Sequence, residues 1–191
     1  MPDGLVDPHT DLRTGVLRNL VGAGTWDELR NAKGELVAMR TSEFLGGELH
    51  LEPTGTLDGL RRIHRWLFRG ACDWAGEVGT VEIRKAGEGA QFLLPSANMP
   101  RGIAWARSEL GKDDLLAGVA SRRFPGRTAY HYDTYSFVHP FREGDGRALC
   151  WVFTGWSCAI PRSRTSSFRP VSSRDGVATC NQYSVLQDRW H

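Results

Sequence analysis

One ten-residue string constrains this chain more than any other: His139-Pro140-Phe141-Arg142-Glu143-Gly144-Asp145-Gly146-Arg147-Ala148. His139 titrates near neutral pH and can take a proton from an attacking hydroxyl. Four residues on, Glu143 offers the hard oxygen donors that Mg2+ uses beside phosphates. Gly144 and Gly146 carry no Cβ, so the backbone there can turn sharply and approach a ligand closely. Successive N–H groups in such a turn make an anion-binding concavity. A helix starting here adds a partial positive charge, and Arg147 can grip a phosphate with two donors. The string therefore calls for a loop running into a helix that cradles a nucleotide's phosphates.

Each part alone is ordinary: a structural histidine, a turn, a loop charge, a surface cation. The string is not a Walker A loop, because no Gly-Lys-Ser/Thr follows it. It is not a dinucleotide fingerprint, because Leu149 stands where a third glycine belongs. No His-Glu-x-x-His zinc helix occurs in the chain.

Taken together, the string resembles the signature of Fic-domain proteins, His-Pro-Phe-x-Asp/Glu-Gly-Asn-Gly-Arg-x-x-Arg, and stands here as HPFREGDGRALC. Ile63-His64-Arg65-Trp66-Leu67-Phe68 and Asp73-Trp74-Ala75-Gly76-Glu77 resemble the helix and turn before that family's flap. Gly15-Val16-Leu17-Arg18-Asn19, followed by Thr25-Trp26-Asp27-Glu28-Leu29, resembles the N-terminal lead of its bacterial toxin-like branch. The likeness covers about residues 10–147.

The resemblance implies a protein adenylyltransferase that uses ATP and Mg2+ to place AMP on a Ser, Thr or Tyr hydroxyl of a target protein. In that reading His139 is the general base, and Glu143 holds Mg2+ against the α- and β-phosphates. Gly144, Asp145 and Gly146 form the phosphate nest, Arg147 pairs with the phosphates, and Phe141 anchors the loop. Two departures stand out. The family's Asn is Asp145, and a carboxylate turned to phosphates would repel them. The family's second Arg is Cys150, which removes a γ-phosphate partner. Both favour the alternative of a degenerate Fic protein that binds nucleotide or antitoxin without turnover. A donor other than ATP, carrying phosphate or phosphocholine, is a third reading. The family's inhibitory Ser/Thr-x-x-x-Glu-Gly/Asn string is absent from the sequence. The toxin-like lead therefore implies a separate small antitoxin partner.

The expected fold is mainly α, a Fic-like helical bundle with a small β-hairpin flap. Residues 1–55 read as an N-terminal helical lead, 56–159 as the core, and 160–191 as an atypical tail. In the lead, Thr25 and Glu28 have capping-box spacing, and Leu29, Ala32, Leu36 and Met39 recur near helical period. Thr56 caps a second helix that carries Leu60, Ile63 and Leu67, with His64 as a packed histidine. Val81 and Ile83 alternate with Glu82 and Arg84 before a Gly-containing turn, which predicts the hairpin over about 80–94. By resemblance Val81, Glu82, Ile83, Arg84 and Lys85 dock the target as an added strand. Helices are expected at Ile103–Leu110 and Asp114–Phe124, then a break at Pro125-Gly126, then Thr128–Phe137.

Past Ala148 the composition shifts. The remaining residues hold no Glu or Lys, but seven Ser and three of the four Cys. Helical period fades past about Ala159, as in a diverged tail or one left by a reading-frame slip. The net charge of +2 over 191 residues gives no reason to expect nucleic acid. No run is long and apolar enough to span a membrane. The first residues lack a signal-peptide pattern, so a cytoplasmic protein is expected, with export as an effector left open. Cysteine spacing fits no zinc or redox motif, so reduced structural thiols are expected.

Overall fold

The computed structural model describes residues 7–45, 55–82, 93–117, 119–120 and 122–159. Among the described residues, five helices carry the fold: α1 (Trp26–Leu45), α2 (Leu57–Phe68), α3 (Met99–Lys112), α4 (Phe124–Val138) and α5 (Asp145–Ala159). α2 packs on α5, α4 on both α3 and α5, and α1 on α2. Among the described residues no helix is long and apolar enough to cross a membrane.

Local chemistry sets the two helix starts that matter most. The Glu28 N–H donates to Thr25 Oγ1 at 3.3 Å, while Glu28 Oε2 accepts from Thr25 N at 3.0 Å and Gly24 N at 2.8 Å. That reciprocal pattern satisfies donors that a helix start otherwise leaves open. Thr56 does the same for α2, accepting from Gly59 N at 3.1 Å.

α2 is the centre of the core. Leu60, Ile63, Leu67 and Phe68 fall on one face and are buried. They meet Ile103, Ala106 and Leu110 of α3, Tyr135 and Val138 of α4, and Ala148, Leu149, Val152 and Phe153 of α5. A smaller cluster of Val16, Leu17, Leu29, Ala71, Cys72 and Trp74 fastens the lead to α1 and the end of α2.

The structure departs from the sequence reading in three places. In α1, Met39 is 45 % exposed, while Lys33, one turn beyond Leu29, is buried. Within the N-terminal lead, Leu12–Leu20 is turn, with one isolated bridge from Thr10 to Leu17. The helix expected at Asp114–Phe124 shrinks to a 3-10 turn at Asp114–Leu116, whose residues all have positive φ. Just before it, Asp113 accepts bonds from Arg127 at 2.5 Å and His131 at 2.7 Å, so that junction is fixed by α4. Pro125 does not break a helix but sits in the first turn of α4, where its missing N–H costs nothing. Of the expected hairpin, residues 83–92 lie outside the described residues, and the described ones form no strand there. The tail from 160 to 191 lies outside them as well.

Candidate active site

The site is the loop between α4 and α5. α4 ends at His139, which adopts a left-handed conformation (φ 48°, ψ 66°) and donates its N–H to Tyr135 O at 3.1 Å. Such a conformation is uncommon for a residue with a Cβ and marks a held position. Phe141 then plunges into the core, 1 % exposed. At Gly144 φ is +95°, and α5 begins at Asp145. The first N–H groups of α5 have no carbonyl four residues back, which leaves donors at the loop's end.

α2 supports this loop through His64, which is fully buried. Its Nδ1 accepts from Gly76 N at 2.8 Å, so its Nε2 carries the proton and donates to the Glu143 carbonyl at 2.9 Å. The ring stacks on Phe141, with centroids 4.1 Å apart. Burial lowers the pKa to about 4, so the ring is neutral at physiological pH. His64 is thus a structural strut for the motif loop.

On the α1 side of the loop lies a charge cluster. Glu143 Oε2 is 2.7 Å from Lys33 Nζ, and its Oε1 accepts from Arg147 Nη2 at 3.0 Å. The Arg147 guanidinium also lies over the Phe68 ring, 5.3 Å from its centroid. Burial works to raise the Glu143 carboxyl, but Lys33 and Arg147 outweigh it and hold the group below its ordinary range. Both carboxylate oxygens therefore already face a cation. Among the described residues no group of three or more His, Cys, Asp or Glu side chains is placed to hold a metal. One carboxylate neutralised by two side-chain cations does not fit a resident Mg2+ ion in this arrangement.

On the opposite side is His139. Its Nε2 lies 3.2 Å from Asp145 Oδ2, with the two side chains 20 % and 2 % exposed. Asp145 Oδ1 accepts the Phe141 N–H at 3.2 Å. Burial pushes the Asp145 carboxyl well above the usual range, against the Phe141 N–H and with the repulsion of Glu143. Asp145 does not project outward to where phosphates would lie, nor toward solvent. It turns inward, behind the histidine.

His139 also lines a cleft with Gly79, Val81, Leu93, Leu94, Ser96 and Met99. The two ends of the 80–94 segment are fastened on either side of it. Gly79 N donates to Pro140 O at 2.9 Å, and Leu94 N donates to Phe137 O at 3.1 Å. Glu82 accepts from both Ser96 N and Ser96 Oγ, at 3.0 and 2.9 Å. Val81 is half-buried and Glu82 exposed, whereas Ile83, Arg84 and Lys85 lie outside the described residues.

The loop thus brings together His139, Glu143, Gly144, Asp145, Gly146 and Arg147, all singled out in the sequence. Sequence reasoning missed Lys33, which arrives from a helix more than a hundred residues away. Its one signal is position: it stands four residues after the fully buried Leu29, on the same face.

No protein-family model matches the chain. It is 30 % identical over 142 residues to "Probable protein adenylyltransferase Fic" of Salmonella typhimurium, covering 74 % of this chain and 68 % of that protein. It is 30 % identical over 148 residues to "Protein adenylyltransferase VbhT" of Bartonella schoenbuchensis, covering 77 % of this chain but only 30 % of VbhT's length. Among solved structures, BepC from Bartonella tribocorum, an effector crystallised with bound AMPPNP, superposes with a TM-score of 0.70. That match has 18 % identity and covers 80 % of this chain and 77 % of BepC. A mainly α helical bundle closed around a His-Pro-Phe loop at a helix N-terminus is the arrangement of a Fic domain. The chain belongs to the Fic family.

Proposed function

We propose that this protein transfers AMP from ATP to a hydroxyl side chain of a target protein. The observation that carries the reading is the seat of His139, at the wall of a cleft formed by both ends of the 80–94 segment and beside the N-terminus of α5. A target side chain entering between those ends meets the imidazole, while phosphates meet the first N–H groups of α5 and Arg147. In the step, the hydroxyl oxygen bonds to the α-phosphorus. The bond from that phosphorus to the oxygen bridging to the β-phosphate breaks, and pyrophosphate leaves with the electron pair. His139 takes the hydroxyl proton. Placement and charge neutralisation do most of the work, as in phosphoryl transfer generally.

Val81 and Glu82, at the base of the 80–94 segment, support target docking there, with Ile83, Arg84 and Lys85 carrying the added-strand contact. The Mg2+ expected at Glu143 has to displace Lys33 or Arg147 from that carboxylate, and nothing in the step above depends on it. A toxin role with a small antitoxin rests on the likeness of the N-terminal lead. A cytoplasmic site of action, with export open, rests on the sequence alone.

A second reading, nucleotide binding without turnover, is favoured by Cys150. It occupies the family's second arginine position and is 7 % exposed on α5, so no cation stands at that place. The test is labelling of a bacterial lysate with ATP radiolabelled at the α-phosphate, and in parallel at the γ-phosphate. Transfer of α-label, lost with His139→Ala, supports AMP transfer. Transfer of γ-label indicates a kinase. No transfer of either, with ATP binding retained, establishes the second reading.

A further inference from the structure

Lys33 is the least expected member of the motif loop's charge cluster. It lies outside the signature, on α1, and its side chain is only 5 % exposed, yet its Nζ stands 2.7 Å from Glu143 Oε2. Arg147 Nη2 donates to the other carboxylate oxygen at 3.0 Å. Together the two cations outweigh burial and keep Glu143 ionised. A divalent ion at Glu143 would have to take an oxygen from one of them. Displacing Lys33 would leave a buried ammonium without the carboxylate that compensates it, which a low-dielectric site tolerates poorly. The incoming ion would also sit beside two like charges. Among the described residues no group of three or more His, Cys, Asp or Glu side chains offers it another place.

The charges lead to a different occupant. Lys33 and Arg147 supply two positive charges and Glu143 one negative, so the cluster carries +1 with no metal bound. Cancelling charge beside a polyphosphate is then already done in part by side chains. Arg147 is the member that can meet a ligand, because its side chain is 34 % exposed and its guanidinium has donors beyond the one spent on Glu143. Lys33 neutralises the carboxylate from the buried side and leaves the charge of Arg147 available. We propose that Lys33 replaces a divalent cation at Glu143, so that this site binds a nucleotide's polyphosphate without metal. The proposal rests on the nucleotide site of the reading above and specifies the form of ligand it takes, the free polyanion. The fold places Lys33 for this task. It follows the fully buried Leu29 by four residues on one face of α1, α1 packs on α2, and His64 of α2 fixes the loop by donating to the Glu143 carbonyl.

The test is calorimetric titration of ATP into the full chain, in EDTA and in parallel in excess Mg2+. Wild type is expected to bind ATP in EDTA at least as tightly as in Mg2+, since the metal complex brings less negative charge to the cluster. Lys33→Met is expected to lose at least about tenfold in affinity in EDTA, and to regain affinity with Mg2+ because an oxygen of Glu143 is then open to the metal. Glu143→Gln removes the negative charge and is expected to bind ATP in EDTA about threefold or more tightly than wild type, whereas a metal-ligand role requires a loss in Mg2+. Wild-type binding that requires Mg2+ overturns the proposal, as does no binding of ATP in either medium. Lys33→Met that binds in EDTA as wild type does, or Glu143→Gln that loses binding in Mg2+, overturns it as well. The wild-type comparison decides even where a variant folds poorly. Binding is read without turnover, so absence of AMP transfer leaves the proposal standing. AMP transfer with strictly Mg2+-dependent binding removes the proposal while the reading above holds.

Discussion

Gly144 is the tightest point of the site, and replacing it with alanine gives the sharpest numerical test of the loop's construction. Its φ of +95° lies outside what L side chains readily adopt. A Cβ there imposes a backbone cost of roughly 1–2 kcal/mol. The same Cβ would also fall 2.6 Å from Phe68 Cε2 and 2.8 Å from Phe68 Cζ, with His64 Nε2 at 3.2 Å. Phe68 is 1 % exposed and His64 fully buried, so neither can swing aside into solvent. Overpacking of this kind costs roughly 1–3 kcal/mol, and displacing His64 also weakens its bond to the Glu143 carbonyl. The expected total is about 3–4 kcal/mol, a large share of the stability of a chain this size. In thermal unfolding that corresponds to a drop of about 10 °C. Gly22 supplies the control. It has φ +72° with nothing within 4 Å of its would-be Cβ, so Gly22→Ala should show only the backbone part, about 1 kcal/mol. Urea unfolding of both variants, followed by circular dichroism, separates the two contributions. A Gly144→Ala loss no larger than that of Gly22→Ala would falsify the close packing of Phe68 and His64 against the loop.

Other expectations follow from the same contacts. Lys33→Met leaves the Glu143 carboxylate with Arg147 alone. Loss of a buried partner costs roughly 3–5 kcal/mol, and the remaining arginine and partial exposure of Glu143 cut that to about 2. Combining it with Glu143→Gln should recover part of the loss, and strict additivity in the double-mutant cycle would contradict the pairing. His64 is held neutral, its pKa lowered to about 4 from 6.5 by burial. Its contribution is therefore fully present above pH 6.5 and is lost as pH falls toward 4, by about 3 kcal/mol in all. Urea midpoints measured across that range should fall with uptake of one proton on unfolding, and a flat profile would show that the ring is not buried as described. Burial raises the Cys72 thiol to about 12, so a thiol reagent should modify it only in unfolded protein. Fast labelling of Cys72 in native protein would place it at the surface.

Much of the site was legible because its chemistry is local. The capping residues Thr25, Glu28 and Thr56 act within one turn, so spacing alone locates the starts of α1 and α2. The His139–Arg147 string likewise places its groups in one loop by adjacency. What escaped the sequence is what depends on distant partners. Lys33 reads as one more exposed charge until α1 is laid on α2, because nothing in the periodicity says that Glu143 will be waiting there. The 114–124 segment has helical spacing, yet Asp113 is held by Arg127 and His131 of α4, and the chain turns through positive φ instead. Met39 fits the apolar stripe but falls on a stretch of α1 that leaves it exposed.

Asp145 shows why a departure from a motif needs its geometry before it is given a meaning. Read as a string, Asp145 puts a negative charge in a phosphate nest and argues for a crippled site. In the fold, the first turn of α5 points its carboxyl inward behind the histidine, and burial works to keep it neutral, so a phosphate nest here would be built from backbone. The loop then has two faces with different work. The α1 side gathers Lys33, Glu143 and Arg147 into a cluster of net charge +1, suited to polyphosphate. The cleft side presents His139, backed by Asp145 and, among the described residues, walled by the uncharged side chains of Val81, Leu93, Leu94, Ser96 and Met99, suited to a hydroxyl that must give up a proton. Phe141 and His64 run between these faces and keep them in register, so a change at Gly144, which packs on His64 and Phe68, should disturb phosphate binding and proton transfer together.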